Sequence, residues 1–337
     1  MREPSFWWRE PGLASALLAP VAAVYGAVAA HRMARPGLRA GLPVLCIGNF
    51  TLGGTGKTPA VITIAKMLRD AGERPFCLSR GYGGSLAGPK LVDAQADLPG
   101  AVGDEALLLA RAAPSIVARD RVAGAEAARA AGASVVIMDD GLQNPSLIKD
   151  FTLAVIDGRR GFGNGMVFPA GPLRAPLRPQ WACTDALMVI GDVSGAAEAV
   201  ATAKERGLPV LHAKLVADAA AVTALAGKRV LAFAGIGDPG RFFATIADAE
   251  IEAPQCVPFP DHHRFSAEEA AALVMQAEHE GLELLTTEKD HVRMTGNAAC
   301  SALWARAQVL PATLVVEEAD ELRRLIADAI ARGRHAR

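Results

Sequence analysis

Lys57 and Thr58 close the run Asn49-Phe-Thr-Leu-Gly-Gly-Thr-Gly-Lys-Thr58. Gly53, Gly54 and Gly56 let the backbone curl so that its N–H groups turn inward on phosphate oxygens. A lysine directly after such a curl reaches the β- and γ-phosphates, and the next hydroxyl ligates Mg2+. Thr51, Leu52, Gly53, Gly54, Thr55, Gly56, Lys57 and Thr58 are therefore the candidate ATP-binding loop, with Thr58 a candidate metal ligand. The general G-x-x-x-x-G-K-[ST] pattern asks for glycine where Thr51 stands. The bland alternative is a flexible glycine loop with a chance Lys-Thr.

Three further places could carry chemistry. Ser134-Val-Val-Ile-Met-Asp-Asp140 is an apolar run that ends in two carboxylates. An acid at such a strand end holds Mg2+ in phosphate-loop proteins, although Asp-Asp-Gly is also good turn chemistry. Either Asp139 or Asp140 can be the ligand. Gly103-Asp-Glu105 opens an expected helix over Glu105–Ala113, where Asp104 is either its N-cap or a general base for a hydroxyl. Asp261-His262-His263 lies in a loop, where a histidine is more often solvated than catalytic.

The elements that must position these groups are readable. Pro43–Gly48 is a short apolar strand ahead of the loop, and apolar residues at 61, 62, 64, 65 and 68 make Pro59–Asp70 a helix with Gly72 beyond its end. Strand, glycine loop, Lys-Thr and helix is the context the motif requires. Val210–Val216 reads as a strand linking two units. Strands near Lys228–Gly235, Leu282–Thr286 and Ala312–Val316, with a helix carrying Phe242, Phe243 and Ile246, read as a smaller α/β unit. Ser266-Ala-Glu-Glu269 is a capping box. Gly235-Ile-Gly237 by itself marks only a tight turn.

The chain has 337 residues, enough for two domains, and its 35 basic and 36 acidic residues nearly cancel. Nucleic acid is a disfavoured partner on that balance. The five cysteines form no C-x-x-C pair, as expected of reduced thiols rather than a zinc site. Pro11–Ala30 carries no charge. Leu13, Leu17, Val21, Val24 and Val28 share one helical face, and the other face is mostly Ala and Gly. Phe6, Trp7 and Trp8 precede the segment, and Arg32, Arg35 and Arg39 follow it. Such flanks suit a membrane interface. The segment reads as a helix on one leaflet, a single span, or a helix docked on a soluble domain.

The chain resembles the tetraacyldisaccharide 4′-kinase family of lipid A synthesis from about residue 5 to about residue 320. The resemblance rests on segments in a fixed order: Gly48-Asn49 with Gly53–Pro59, Leu78-Ser-Arg-Gly-Tyr-Gly-Gly84, Gly103-Asp-Glu105, Asp139-Asp-Gly-Leu-Gln143, Gly163-Asn-Gly165, Pro169-Ala-Gly-Pro-Leu-Arg174, Gly235-Ile-Gly237, Phe259-Pro-Asp-His262 and Thr286-Thr-Glu-Lys-Asp290. It implies γ-phosphate transfer from ATP, with Mg2+, to the 4′-hydroxyl of a tetraacylated glucosamine disaccharide 1-phosphate. It implies a catalytic dyad of Asp104 and His262, and phosphate contacts from Arg121 and Arg174. It implies work at the cytoplasmic face of a bacterial inner membrane, with an acylated lipid as substrate and no obligate protein partner. Two positions depart from the family pattern, Ala175 in place of a glutamate and Asn144 in place of a histidine, and neither is given a catalytic role.

The expected architecture is α/β. A membrane-associated N-terminal helix (1–35) precedes a phosphate-loop α/β/α kinase domain (36–209), a strand linker (210–224) and a smaller α/β/α domain (225–337). A soluble metabolite kinase and a partitioning-type ATPase switch are the competing readings. Leu52 stands where the switch class usually has a lysine.

Overall fold

A computed structural model describes residues 3–335. Residues 1–2 of the expected N-terminal helix segment and 336–337 of the expected smaller domain lie outside the described residues. A short 3-10 turn over Ser5–Trp8 precedes α1 (Leu13–Met33). The chain then runs through β1 (Val44–Gly48), α2 (Lys57–Asp70), β2 (Pro75–Ser79), β3 (Lys90–Leu91), α3 (Pro99–Val102), α4 (Asp104–Ala112), β4 (Ser115–Val117), α5 (Arg121–Ala130) and β5 (Val135–Asp139). Next come β6 (Phe151–Asp157), α6 (Leu177–Ala182), β7 (Ala186–Ile190), α7 (Ala197–Glu205) and β8 (Val210–Ala217). A second run holds α8 (Ala219–Ala224), β9 (Arg229–Ala234), α9 (Pro239–Asp248), β10 (Glu252–Pro258), α10 (Ala267–Glu280), β11 (Glu283–Thr286), α11 (Glu288–Met294), α12 (Ser301–Arg306) and β12 (Gln308–Val309). β13 (Ala312–Val316) and α13 (Ala319–His335) end it.

β1 lies inside a nine-stranded sheet of order β13-β8-β7-β6-β1-β5-β2-β4-β3. Its neighbours β5 and β6 are parallel to it, so their C-terminal ends emerge beside the phosphate loop. Alternation along β1 builds the layers. Leu45 and Ile47 pack with Val61, Ile64 and Leu68 of α2 and with Leu322 and Ile326 of α13. Val44 and Cys46 turn to the opposite face, against Ala125 and Ala128 of α5. Both faces are covered, which is why these strands read as unbroken apolar runs.

The second sheet has order β10-β9-β11-β12, parallel throughout. Val230 and Ala232 pack on Phe242 and Ile246 of α9, while Leu231 and Phe233 pack on Ala270 and Leu273 of α10. This too is an α/β/α unit. One expectation is corrected here. Ala312–Val316 does not complete the smaller sheet; it pairs antiparallel with β8 at the edge of the larger one. Pro311 separates it from β12, and its alternating Leu314 and Val316 close the larger core instead. α13 follows it there. Val210–Val216, expected as a linker, is an integral strand held by β7 and β13.

α1 turns its small residues inward. Ser15, Ala22, Gly26, Ala29 and Met33 face the protein, and Leu13, Leu17 and Val24 stand 83%, 77% and 68% exposed. Ala29 and Met33 pack on Ala175, which is fully buried. Trp7 is buried, donating to the Pro169 carbonyl at 3.1 Å, and the Ser15 hydroxyl meets Asn164 at 3.1 Å.

Candidate active site

The loop between β1 and α2 follows the expected chemistry. Gly53 and Gly56 take φ of 97° and 92°, a backbone region that side chains resist. Gly56 precedes α2 with no side-chain cap, leaving the N–H groups of the first turn free for an anion. Thr51, where glycine was expected, does not take a left-handed φ, and its backbone pairs with Leu173 at the loop entry. Asn49 Nδ2 donates to the Thr51 carbonyl at 2.6 Å, and Gln143 Nε2 donates to the Asn49 carbonyl at 2.7 Å. Leu52 N–H donates to the Pro172 carbonyl at 2.8 Å, so the Pro169–Arg174 segment forms a wall along the loop.

Register brings the acids to this loop. Asp139 is the partner of Ile47 across the β1–β5 pair, one residue short of the loop. Burial, with Glu105 and Asp140 nearby, pushes the Asp139 carboxyl up to about 7. Asp140 has a positive φ of 53° and meets Arg174 Nη1 at 2.9 Å and Lys57 Nζ at 3.8 Å. Desolvation opposes its charge, but Arg174 and Lys57 hold its carboxyl at about 2. Burial also lowers Lys57, against the pull of Asp140. Arg174 additionally donates through Nε to the Thr51 carbonyl at 2.8 Å, which ties it to the loop.

The donor set fits a hard divalent cation. Asp139 Oδ1, Asp140 Oδ1 and Thr55 Oγ1 are buried and have no hydrogen-bond partner among the described residues. Unpaired buried oxygens beside a phosphate loop are costly unless a ligand engages them. Thr58, on the first turn of α2, completes the oxygens available to Mg2+. Arg121 is buried; its Nη1 donates to the Ala118 carbonyl at 3.2 Å and its Nη2 to the Asp139 carbonyl at 3.3 Å, which ties it to the strand end that carries Asp139.

Asp104 and His262 come together across the two units. His262 Nδ1 lies 3.2 Å from Asp104 Oδ2. Asp104 is not the N-cap of α4; Gly103 is, with φ of 91°, and Asp104 is the first helical residue. Its Oδ1 accepts from the Glu105 N–H at 3.0 Å, and Oδ2 also accepts from Arg293 Nε and Nη2 at 3.0 and 2.7 Å. Burial works against its charge, but His262, Lys289 and Arg293 hold the carboxyl well below its ordinary range. His262 sits at a left-handed position, φ of 55°, with Lys289 Nζ 3.4 Å from its Nε2. His263 keeps the bland role: it bonds Glu269 at 2.8 Å and stacks on Phe259. Asn144 does likewise, accepting from Ser146 in a turn.

A cavity of about 370 Å³ opens beside this pair, with Tyr82, Leu98, Asp104, His262 and Phe265 among its walls. Glu105, Lys289 and Arg293 were not singled out from sequence. Lys289 meets Glu105 at 2.9 Å, which joins α11 to α4. The Thr286–Asp290 segment carried the signal for Lys289, but nothing local connected it to Asp104. On the other side of the loop, Arg241 bonds Asp157 at the end of β6, and Arg159 bonds Asp238 at 2.6 Å. Between these ion pairs Gly237 rests directly on the Gly54 backbone, where a side chain would collide.

A family model described as tetraacyldisaccharide-1-P 4′-kinase matches residues 14–331. A tetraacyldisaccharide 4′-kinase of Rhodopseudomonas palustris strain BisB5 is 53% identical over 99% of this chain and 98% of its own. One from Methylobacterium sp. strain 4-46 is 55% identical, covering 99% of each. Among solved structures, LpxK from Aquifex aeolicus in complex with ATP superposes with a TM-score of 0.71 at 24% identity, covering 94% of this chain and 100% of the other. That likeness concerns the fold.

Proposed function

The chain belongs to the tetraacyldisaccharide-1-P 4′-kinase family, and on that premise we propose how its residues carry out the reaction. It is an ATP-dependent kinase that phosphorylates the 4′-hydroxyl of a tetraacylated glucosamine disaccharide 1-phosphate in lipid A biosynthesis. Full-length kinship with named kinases of this kind leaves the metabolite-kinase and ATPase-switch readings without support.

The observation that carries the mechanism is the Asp104–His262 contact beside a phosphate loop ringed by unpaired oxygens. The loop N–H groups and Lys57 grip the phosphates of ATP, and Arg174 holds Asp140 in line with them. Thr58, Asp139 and Asp140 would hold Mg2+, which when bound would neutralise charge on the transferring phosphates. His262 orients Asp104, and Asp104 receives the proton of the acceptor hydroxyl. A carboxylate held this far below its usual range is a weak base. Phosphoryl transfer tolerates that, because its loose transition state asks more for alignment of the hydroxyl than for its early deprotonation. The cavity beside the dyad receives the acceptor sugar.

The exposed face of α1 lies on the cytoplasmic surface of the inner membrane, with Arg32, Arg35 and Arg39 toward anionic headgroups. α1 is long enough to span, with mean hydropathy 1.9, but its small-residue face is already covered by the protein, which favours lying in the interface. The test is transfer from γ-labelled ATP to a tetraacyl disaccharide 1-phosphate in mixed micelles. Labelled lipid is expected; free phosphate with no labelled lipid from folded protein would overturn the reading.

A further inference from the structure

We infer that Arg293 is a positioning residue for the transfer, one that fixes Asp104 against His262 by bridging the two sheets and so completes the dyad only when the smaller unit lies against the larger. The inference rests on the dyad reading above and extends it to a residue outside the dyad.

Arg293 lies on α11 of the smaller unit, with its side chain 8% exposed. Its guanidinium is held from behind. Nη1 donates to Asp290 Oδ1 at 2.7 Å and to the Gly235 carbonyl at 2.9 Å. Asp290 is itself fully buried and fixed, accepting from the Gly235 N–H at 3.0 Å and from Thr287 Oγ1 at 2.7 Å. The remaining edge, Nε and Nη2, points across the interface at Asp104 Oδ2. A planar fork anchored on one side presents the other in a fixed direction.

The groups facing Asp104 come from three elements. On its own helix the Glu105 N–H meets Oδ1; from the loop before α10 comes His262; from α11 come Arg293 and the charge of Lys289, which is bonded to Glu105. Without the guanidinium, Oδ2 keeps only His262, and the carboxylate can swing away from it. A lysine could supply charge, but one ammonium cannot span Asp104, Asp290 and the Gly235 carbonyl together. Misplacement of a reacting group by about 1 Å costs on the order of a hundredfold in rate.

The experiment compares Arg293→Gln, Arg293→Ala, Arg293→Lys and Asp104→Asn in the full-length protein, with γ-labelled ATP and the tetraacyl disaccharide acceptor. Arg293→Gln is expected to lower kcat about a hundredfold while the KM for ATP stays within about threefold. Millimolar guanidinium should restore at least about tenfold of the activity lost in Arg293→Ala, which a purely structural defect would not allow. Arg293→Lys should fold and remain at least about tenfold below wild type. A kcat within about threefold of wild type in Arg293→Gln or Arg293→Lys overturns the inference, as does a loss in Arg293→Ala that guanidinium leaves untouched. Full turnover in Asp104→Asn sinks the dyad reading and this inference with it. An inactive Asp104→Asn beside a fully active Arg293→Gln sinks this inference alone.

Discussion

Lys57 stands 3.8 Å from Asp140 while Arg174 takes the same carboxylate at 2.9 Å. The lysine is thus partly neutralised yet free to turn to phosphate. Lys57→Ala should lower kcat by at least about a thousandfold, because charge on the transferring group goes unmet. Asp140 keeps Arg174, so the thermal midpoint should fall by no more than about 4 °C; a scan beside a turnover assay checks both. Asp104→Asn should lower kcat at least about a hundredfold with ATP affinity unchanged, read by nucleotide titration. Acid stability gives an independent check on Asp140. Its folded pKa of about 2 lies below the ordinary 3.8. The stability it contributes is complete above the ordinary value and is lost as pH falls through the folded one. In magnesium-free buffer the gap in thermal midpoint between wild type and Asp140→Asn should therefore close between about pH 5 and pH 2. A gap that stays constant would mean the carboxylate is not held by Arg174 and Lys57.

Among the elements, α1 has two faces with different tasks. Leu17 and Val24 touch solvent, whereas Gly26 faces Pro176 and Val167. Leu17→Asp with Val24→Asp should weaken flotation with anionic vesicles about tenfold or more and leave the thermal midpoint within about 2 °C. Gly26→Leu should do the reverse, destabilising by about 1–3 kcal/mol through overpacking. Equal vesicle binding by wild type and the double aspartate variant would argue against the interfacial reading. Deleting residues 1–35 is a poorer test, since Trp7 and Ser15 are part of the packed protein. The cap of α10 is a simpler matter: Ser266 accepts from the Glu269 N–H and Glu269 returns to the Ser266 N–H. Ser266→Ala should cost about 1 kcal/mol in denaturant unfolding.

At the scale of the molecule, two sets of ion pairs hold the small unit against the large one on either side of the phosphate loop. Arg293 and Lys289 meet Asp104 and Glu105; Arg241 and Asp238 meet Asp157 and Arg159. Gly237 touches Gly54 between them. The proposed site is therefore built between the two units, and on that proposal their contact would also exclude water from the phosphoryl group. Gly237→Val, which meets the Gly54 backbone, should hold the units apart and lower kcat at least about tenfold, with each sheet still folded by circular dichroism. Wild-type turnover in that variant would show that the contact is incidental to the reaction.

Much of this was legible in local sequence because it is enforced locally. The glycines at 53 and 56 take left-handed backbone, the run to Asp139 is a parallel strand beside β1, and Ser266 and Glu269 cap each other. Each follows from a spacing of a few residues. What failed, or was missed, depended on partners far along the chain. Asp104 read equally as a cap, since a cap and a base look alike until His262 and Arg293, the latter 189 residues away, come within bonding distance. Ala312–Val316 read as part of the smaller unit because it follows that unit in order, while its pairing partner β8 precedes the unit. The apolar stripe of α1 gave no direction, because a stripe buries or exposes equally well until the neighbouring surface is known.

By itself, then, the sequence determined a nucleotide loop, a strand ending in two acids and the kinship of the chain, all of which are matters of residue type and short spacing. The tertiary structure alone decided that Asp104 lies against His262 and is not a cap, that Arg121 bonds the Asp139 carbonyl while Arg174 meets Asp140 and the Thr51 carbonyl, and that α1 presents leucine outward. The physical reason is the same in each case: these properties belong to contacts between segments, and only the closing of two sheets on one loop brings those segments together.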